Sequence, residues 1–229
     1  MNRNAKLALL GVLGGVAYSI GDAFLFLGRR DLIANAVDPM WVEMPMFRFA
    51  ASIWCGLLGS ALMLAGFVSL YRMVRETCAK AWARFSLLGA AGISGVLLVH
   101  YLAGSLEPML YKALAESGFD MAGFPALTAA LTPWYLPLNA AIILLVYSQL
   151  VVLVYGTVSG CFGLPKKTIL LIPLAALVVG GGFSLLTLLF GLPGGYGGTE
   201  SLLEGAMYLI PLLYWREGRR QVSLSRRST

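Results

Sequence analysis

Long apolar stretches constrain this chain more than any other feature of its sequence. Five of them have about the 20 residues that an α-helix needs to cross a bilayer, and a sixth is shorter. Hydrophobic residues fill 59% of the 229 positions and charged residues only 12%, whereas a soluble domain carries about 25% charged residues. This composition excludes disorder, a coiled coil and an ordinary water-soluble enzyme. The predicted spans are residues 7–28, 49–71, 85–106, 134–155, 168–190 and 199–215.

Lysine and arginine are distributed unevenly between the connections that join these spans. Because cytoplasmic loops of membrane proteins are rich in both residues, the imbalance predicts the orientation. It favours six spans with both termini in the cytoplasm, two long outer loops (29–48 and 107–133) and a cytoplasmic tail (216–229). The basic residues predicted to lie outside are Arg29, Arg30, Arg48 and Lys112. Those predicted to lie inside are Arg3, Lys6, Arg72, Arg75, Lys80, Arg84, Lys166, Lys167, Arg216, Arg219, Arg220, Arg226 and Arg227.

The predicted fold class is therefore all-α, a polytopic transmembrane helix bundle in which residues 1–229 form one domain. We expect a multi-pass protein of the cell membrane, of the bacterial cytoplasmic (inner) membrane type. The first apolar run is too long for a usual signal-peptide core and no clean Ala-x-Ala site follows it, so we expect an uncleaved first span. The basic loops are interpreted as orientation signals that contact anionic lipid headgroups, and no nucleic-acid partner is expected.

Two local patterns refine this prediction. Gly11 and Gly15 stand four residues apart in the first span, a spacing that lets helix backbones approach closely. Within the second outer loop, Pro108 stands at a first-turn position, which predicts a short amphipathic helix over residues 107–117.

Polar residues inside the predicted spans are few, and an ionisable one costs about 2.5–3.5 kcal/mol to insert. Asp22 lies six residues from the outer end of the first span, and His100, the only histidine, lies six from that of the third. Asn139 lies five residues from the outer end of the fourth span, and Glu204 lies near the outer start of the sixth. At 1.5 Å per residue, all four fall within roughly 5–9 Å of the outer boundary. We therefore predict that they meet in one outer-leaflet pocket.

The members of this predicted pocket divide into two groups. Asp22, His100 and Glu204 are the candidate catalytic residues, because a carboxyl and an imidazole with different pKa values can serve as general acid and general base. The candidate substrate-binding residues are Tyr18, Tyr101, Asn139 and Tyr208. Each member also has a purely structural interpretation, such as a packing histidine or a carboxylate that accepts hydrogen bonds from hydroxyl groups within the bundle.

Three functions stay open at this point. The first is an enzyme that binds a lipid-like or amphipathic small molecule and modifies it by acid–base chemistry. The second is a small-molecule transporter or binding protein, and the third is an accessory membrane subunit. Expected partners are membrane lipids and a hydrophobic or amphipathic small molecule, and association into a homo-oligomer is left open.

No cofactor and no metal are expected. A single histidine, without an H-E-x-x-H motif, does not supply a histidine-rich metal centre. Cys55, Cys78 and Cys161 form no C-x-x-C pair, and the chain contains no nucleotide-binding fingerprint.

The Gly21-Asp22 pair in the first span, together with a lone His100 in the third, resembles small bacterial six-pass integral-membrane families of unknown function. This resemblance implies the number of spans. It implies no activity.

Overall fold

The computed structural model describes residues 1–26, 40–189 and 199–218, and every regular element in these ranges is helical. The predicted all-α class is confirmed. The end of the first predicted span, most of the loop 29–48, the end of the fifth span and most of the tail lie outside the described residues. The α-helices are α1 (Arg3–Phe26), α2 (Met40–Glu43), α3 (Met46–Thr77), α4 (Lys80–Val99), α5 (Glu107–Glu116), α6 (Phe124–Val158), α7 (Leu171–Leu189), α8 (Thr199–Ala206) and α9 (Leu209–Leu213). Residues Met121–Gly123 and Lys166–Leu170 are 3₁₀-helical, and His100–Leu106 and Tyr214–Gly218 are π-helical.

Within the described ranges, four helices are long and apolar enough to cross a membrane. Their outer surfaces carry large apolar side chains: Trp54, Leu144 and Leu177 expose 69%, 73% and 69% of their surface. A surface of this kind is typical of helices that face lipid, since monomeric soluble proteins rarely expose large apolar patches. These helices indicate a multi-pass membrane protein. The four segments are Arg3–Leu25, Met46–Thr77, Lys80–Val99 and Leu136–Val158.

Helix α1 lies at the centre of the described bundle, along α3 and against α8 and α9. The backbones approach closely because glycines face each other: a β-carbon on Gly15 would lie 2.3 Å from the α-carbon of Gly205. A β-carbon on Gly14 would lie 2.7 Å from the carbonyl oxygen of Gly59. The close packing predicted from the glycine spacing in the first span is confirmed.

The segment predicted as the second outer loop, 107–133, is largely helical. Helix α5 covers Glu107–Glu116 with Pro108 in its first turn, which confirms the predicted short helix. Helix α6 begins at Phe124 and continues for 35 residues, which corresponds to about 52 Å at 1.5 Å per residue. It therefore extends well beyond the predicted span 134–155, since a hydrocarbon core is about 30 Å thick.

The last predicted span, 199–215, is discontinuous. Helix α8 ends at Ala206, and α9 begins at Leu209 after a turn in which the Tyr208 backbone N–H donates to the Gly205 carbonyl. Pro211 explains the break, because proline has no N–H to donate to the carbonyl four residues earlier and its ring collides with that carbonyl.

The short helices α2 and α5 pack together beside the end of α1 and the start of α3. The side chains of Leu25, Trp41, Met44 and Phe49 form a buried apolar cluster there. Lys112 on α5 donates to the Val42 carbonyl and pairs with Glu116 at 2.7 Å. This cluster flanks the predicted pocket, because Leu25 lies three residues after Asp22 on α1.

Candidate active site

Asp22 and His100 form the centre of the candidate site. Asp22 is in the last two turns of α1 and His100 is the first residue after α4, where the chain becomes π-helical. The Asp22 Oδ1 atom lies 3.3 Å from His100 Nδ1, and both residues are buried. The structure therefore brings together two ionisable residues that the sequence places at one height in the bilayer.

Ser52 of α3 lies on the opposite edge of the imidazole ring. Its Oγ atom is 3.0 Å from His100 Nε2, and its own carbonyl oxygen is 3.2 Å from the same nitrogen. Because the Asp22 carboxylate favours a proton on Nδ1, a neutral His100 accepts at Nε2 from the Ser52 hydroxyl. A protonated His100 donates from Nε2 to the Ser52 carbonyl. Both protonation states of the ring thus have a partner.

The position of the imidazole is fixed by packing as well as by hydrogen bonds. The Tyr18 ring meets the His100 ring edge-to-face, with centroids 4.7 Å apart, and the Tyr18 hydroxyl donates to the Val96 carbonyl at 3.0 Å. On α3, Gly56 leaves room for the imidazole: a β-carbon there would lie 2.6 Å from His100 Cδ2. No other residue type fits at position 56 without displacing the ring.

Helix α8 contributes Ser201 and Glu204. The Ser201 hydroxyl donates to Asp22 Oδ2 at 2.5 Å, so both carboxylate oxygens of Asp22 are engaged. Glu204 follows one turn later on the same face and is close enough to Asp22 for the two charges to interact. Glu204 is buried, and its Oε2 atom has no hydrogen-bond partner among the described residues.

The other predicted members of the pocket are placed differently. Tyr208 is buried, and its hydroxyl donates to Gln149 Oε1 at 3.0 Å, whereas the side chain of Tyr101 is 43% exposed. Asn139 is half-buried on α6, which packs mainly on α4, and no hydrogen bond to Asp22, His100 or Glu204 is seen in the described parts of the chain. A role in substrate binding stays a prediction for all three.

Reasoning from sequence missed Ser52 and Ser201. A single serine in an apolar helix carries little information, because its hydroxyl can bond to the backbone of its own helix. One signal was available for each: Ser52 precedes Gly56 by four residues, a small-residue spacing typical of helix contacts, and Ser201 precedes Glu204 by three.

The arrangement of Asp22, His100 and Ser52 suits proton transfer. A carboxylate on one ring nitrogen orients the imidazole and stabilises its cation, and a hydroxyl on the other nitrogen is the group whose proton the ring can accept. Within the described ranges, no three His, Cys, Asp or Glu side chains are grouped so that they could hold a metal ion.

Comparison with known protein families gives a match over most of the chain. The profile of a family described as "Family of unknown function (DUF6796)" matches residues 1–218. No curated protein and no solved structure matches the chain.

Proposed function

We propose that this chain, which belongs to the DUF6796 family of unknown function, is a membrane-embedded enzyme that transfers or hydrolyses the acyl group of a lipid-like ester. One observation carries the proposal: His100 lies between the carboxylate of Asp22 and the hydroxyl of Ser52, at 3.3 and 3.0 Å. A buried carboxylate–imidazole–hydroxyl series is the arrangement that activates a serine hydroxyl in unrelated folds.

The proposed reaction has two balanced steps. As the Ser52 oxygen attacks the ester carbonyl, His100 Nε2 takes the hydroxyl proton and passes it to the departing alcohol, which leaves an acyl group on Ser52. Water then attacks this acyl-serine while His100 takes a proton from the water. As the bond between the acyl carbon and the Ser52 oxygen breaks, His100 returns that proton to the Ser52 oxygen, which releases the carboxylic acid and regenerates the hydroxyl. Asp22 holds the imidazole in the required tautomer throughout.

The surroundings of the site favour an apolar substrate. Ser52 is fully buried, while Asp22 and His100 each keep only 8% of their surface exposed. Exclusion of water strengthens the interactions within the series. Because Ser52 is covered, the helices around it must separate before a carbonyl can reach its oxygen, and we expect reaction with small reagents to be slow.

The proposal includes the membrane arrangement predicted from the sequence, with six spans, cytoplasmic termini and the site in the outer leaflet. The four apolar helices support a multi-pass protein. The end of α1, the start of α3 and the end of α4 converge at the site. The excess of basic residues at the opposite end of these helices supports the outward orientation of the site.

An alkyl fluorophosphonate reagent tests the assignment, because it reacts covalently with activated serines. The full chain in lipid nanodiscs is expected to be labelled at Ser52, as located by mass spectrometry of the modified peptide. Asp22→Asn should slow labelling by about 10²- to 10⁴-fold, the range of a general acid–base contribution. Ser52→Ala should remove the label.

Ser60 provides the matched control, since it is a buried serine two turns further along α3. Ser60→Ala is expected to be labelled like the wild type. A wild-type chain that takes up no label, or a Ser52→Ala variant that is still labelled at the wild-type rate, would refute the proposal.

A proton-coupled transporter is the second candidate, and the discontinuous α8–α9 segment favours it. Broken helices with polar residues at the break are common in secondary transporters, and Glu204 lies in the turn before this break. This function predicts uptake of an amphipathic solute into liposomes driven by a pH gradient, without fluorophosphonate labelling of Ser52.

A further inference from the structure

Glu204 is a buried carboxylate that the series from Asp22 to Ser52 does not use. Only 9% of its surface is exposed, and its Oε2 atom accepts no hydrogen bond from any residue that the structure describes. Burial of a charged group is unfavourable unless the group is paired. Glu204 therefore either holds a proton or has a partner of opposite charge that the described residues do not supply.

The groups close enough to interact electrostatically with Glu204 are acidic or phenolic. They include two carboxylates, from Asp22 and Glu200, which make the surroundings more negative. No lysine or arginine of the described ranges pairs with Glu204. The phenolic neighbours are Tyr18, Tyr147 and Tyr208.

We propose that Glu204 binds the organic ammonium group of a cationic amphiphile, and that this amphiphile is the substrate class of the neighbouring acid–base site. The inference rests on the proposed function. The carboxylate provides the counter-charge, and the three tyrosines within electrostatic range of it place aromatic residues, which an alkylated ammonium ion favours, in the same region. A metal ion fits less well, because the phenols are poor ligands and the described residues hold no cluster of metal-binding side chains.

The helical register places this ammonium site on the Asp22 side of the imidazole. Ser201 and Glu204 are three residues apart on α8 and so lie on the same face, and Ser201 donates to Asp22. An ammonium group at Glu204 therefore lies about one helical turn along α8 from the residue that donates to Asp22.

The same face of α8 carries a second carboxylate, four residues before Glu204. Glu200 is exposed at the start of α8, and Tyr147 on α6 is half-buried and interacts with both Glu200 and Glu204. The negative charge on this face of α8 therefore begins at the exposed start of the helix.

Binding of dodecyltrimethylammonium to the full chain, purified in dodecyl maltoside, tests the inference by equilibrium dialysis. We expect saturable binding that Glu204→Gln weakens at least tenfold. Glu76→Gln removes an exposed carboxylate at the far end of α3 from the site, so it is the control and should weaken binding less than threefold. The ammonium group could belong to an amphiphile or to a small soluble ion, and competition by tetramethylammonium distinguishes the two. Competition at similar concentration would indicate a small soluble ammonium ion and overturn the amphiphile, whereas its absence supports the amphiphile.

Wild-type protein gives a second measurement in case Glu204→Gln does not fold. Dodecyltrimethylammonium should bind at least tenfold more tightly than uncharged dodecanol. Equal binding of the two, absence of saturable binding, or unchanged binding by a folded Glu204→Gln variant would overturn the inference. Ser52→Ala is expected to bind the ammonium like the wild type, so loss of labelling at Ser52 and loss of ammonium binding are separate results.

Discussion

Replacing Gly56 by alanine tests the candidate site without altering any polar group. The new β-carbon would lie 2.6 Å from His100 Cδ2 and 2.9 Å from Nε2, whereas ordinary van der Waals contact begins at 3.4 Å. The imidazole therefore has to move by about 0.8 Å. Because Nε2 lies only 3.0 Å from the Ser52 hydroxyl, such a displacement stretches this hydrogen bond past the distance at which it contributes.

We expect Gly56→Ala to slow fluorophosphonate labelling of Ser52 by about 100-fold, since a misplacement of about 1 Å costs about that factor. The effect on stability should be smaller. Overpacking costs about 1–3 kcal/mol, but alanine in place of glycine within a helix regains about 1 kcal/mol. Labelling kinetics and thermal unfolding of the same preparation separate the two effects.

Gly181 on α7 supplies the control, because a β-carbon there would have no neighbouring atom within 4 Å. Gly181→Ala should label and unfold like the wild type. If a folded Gly56→Ala variant labels Ser52 at the wild-type rate, the contact between His100 and Ser52 is not needed for reactivity, and the reasoning fails.

Three further predictions concern the bundle around the site. Gly15→Ala places a β-carbon 2.3 Å from the α-carbon of Gly205. Because neither helix backbone can move away without disturbing its own packing, we expect a loss of about 1–3 kcal/mol in the free energy of unfolding. Lys112→Met leaves the Val42 carbonyl without its donor and should cost about 1–3 kcal/mol, measured by thermal unfolding. Burial raises the pKa of the Cys78 thiol to about 11. Alkylation of Cys78 by N-ethylmaleimide, followed by mass spectrometry of its peptide, should therefore accelerate about tenfold per pH unit between pH 7 and 10. A plateau near pH 9 would contradict this.

The helical fold followed from the sequence because length and hydropathy determine which segments cross a bilayer. The depth of Asp22 and His100 was predictable for the same reason: a helix rises by a fixed distance per residue, so counting from the end of a span gives a height. Height does not give direction around the helix axis. Asn139 shares the predicted height, but its helix packs mainly on α4, and no described contact joins it to Asp22.

The hydroxyl groups of the site were not predictable in this way. Only the 3.0 Å contact with His100 identifies Ser52 as a candidate site residue. This contact depends on the approach of α3 to the start of the π-helical segment. The break between α8 and α9 was more accessible to sequence reasoning, because Pro211 forbids a regular helix through Met207.

The change from α- to π-helix at His100 links the fold to the chemistry. The backbone N–H of His100 donates to the Val96 carbonyl, and this same carbonyl accepts the hydroxyl of Tyr18. Tyr18 in turn packs its ring against the imidazole of His100. One carbonyl therefore positions both the main chain of His100 and the aromatic ring that holds its side chain. π-Helical turns occur frequently at functional sites, and here the turn fixes the ring between a carboxylate on α1 and a hydroxyl on α3. The reactivity of Ser52 should consequently depend on the packing of α1, α3 and α4 as strongly as on the identity of the ionisable groups.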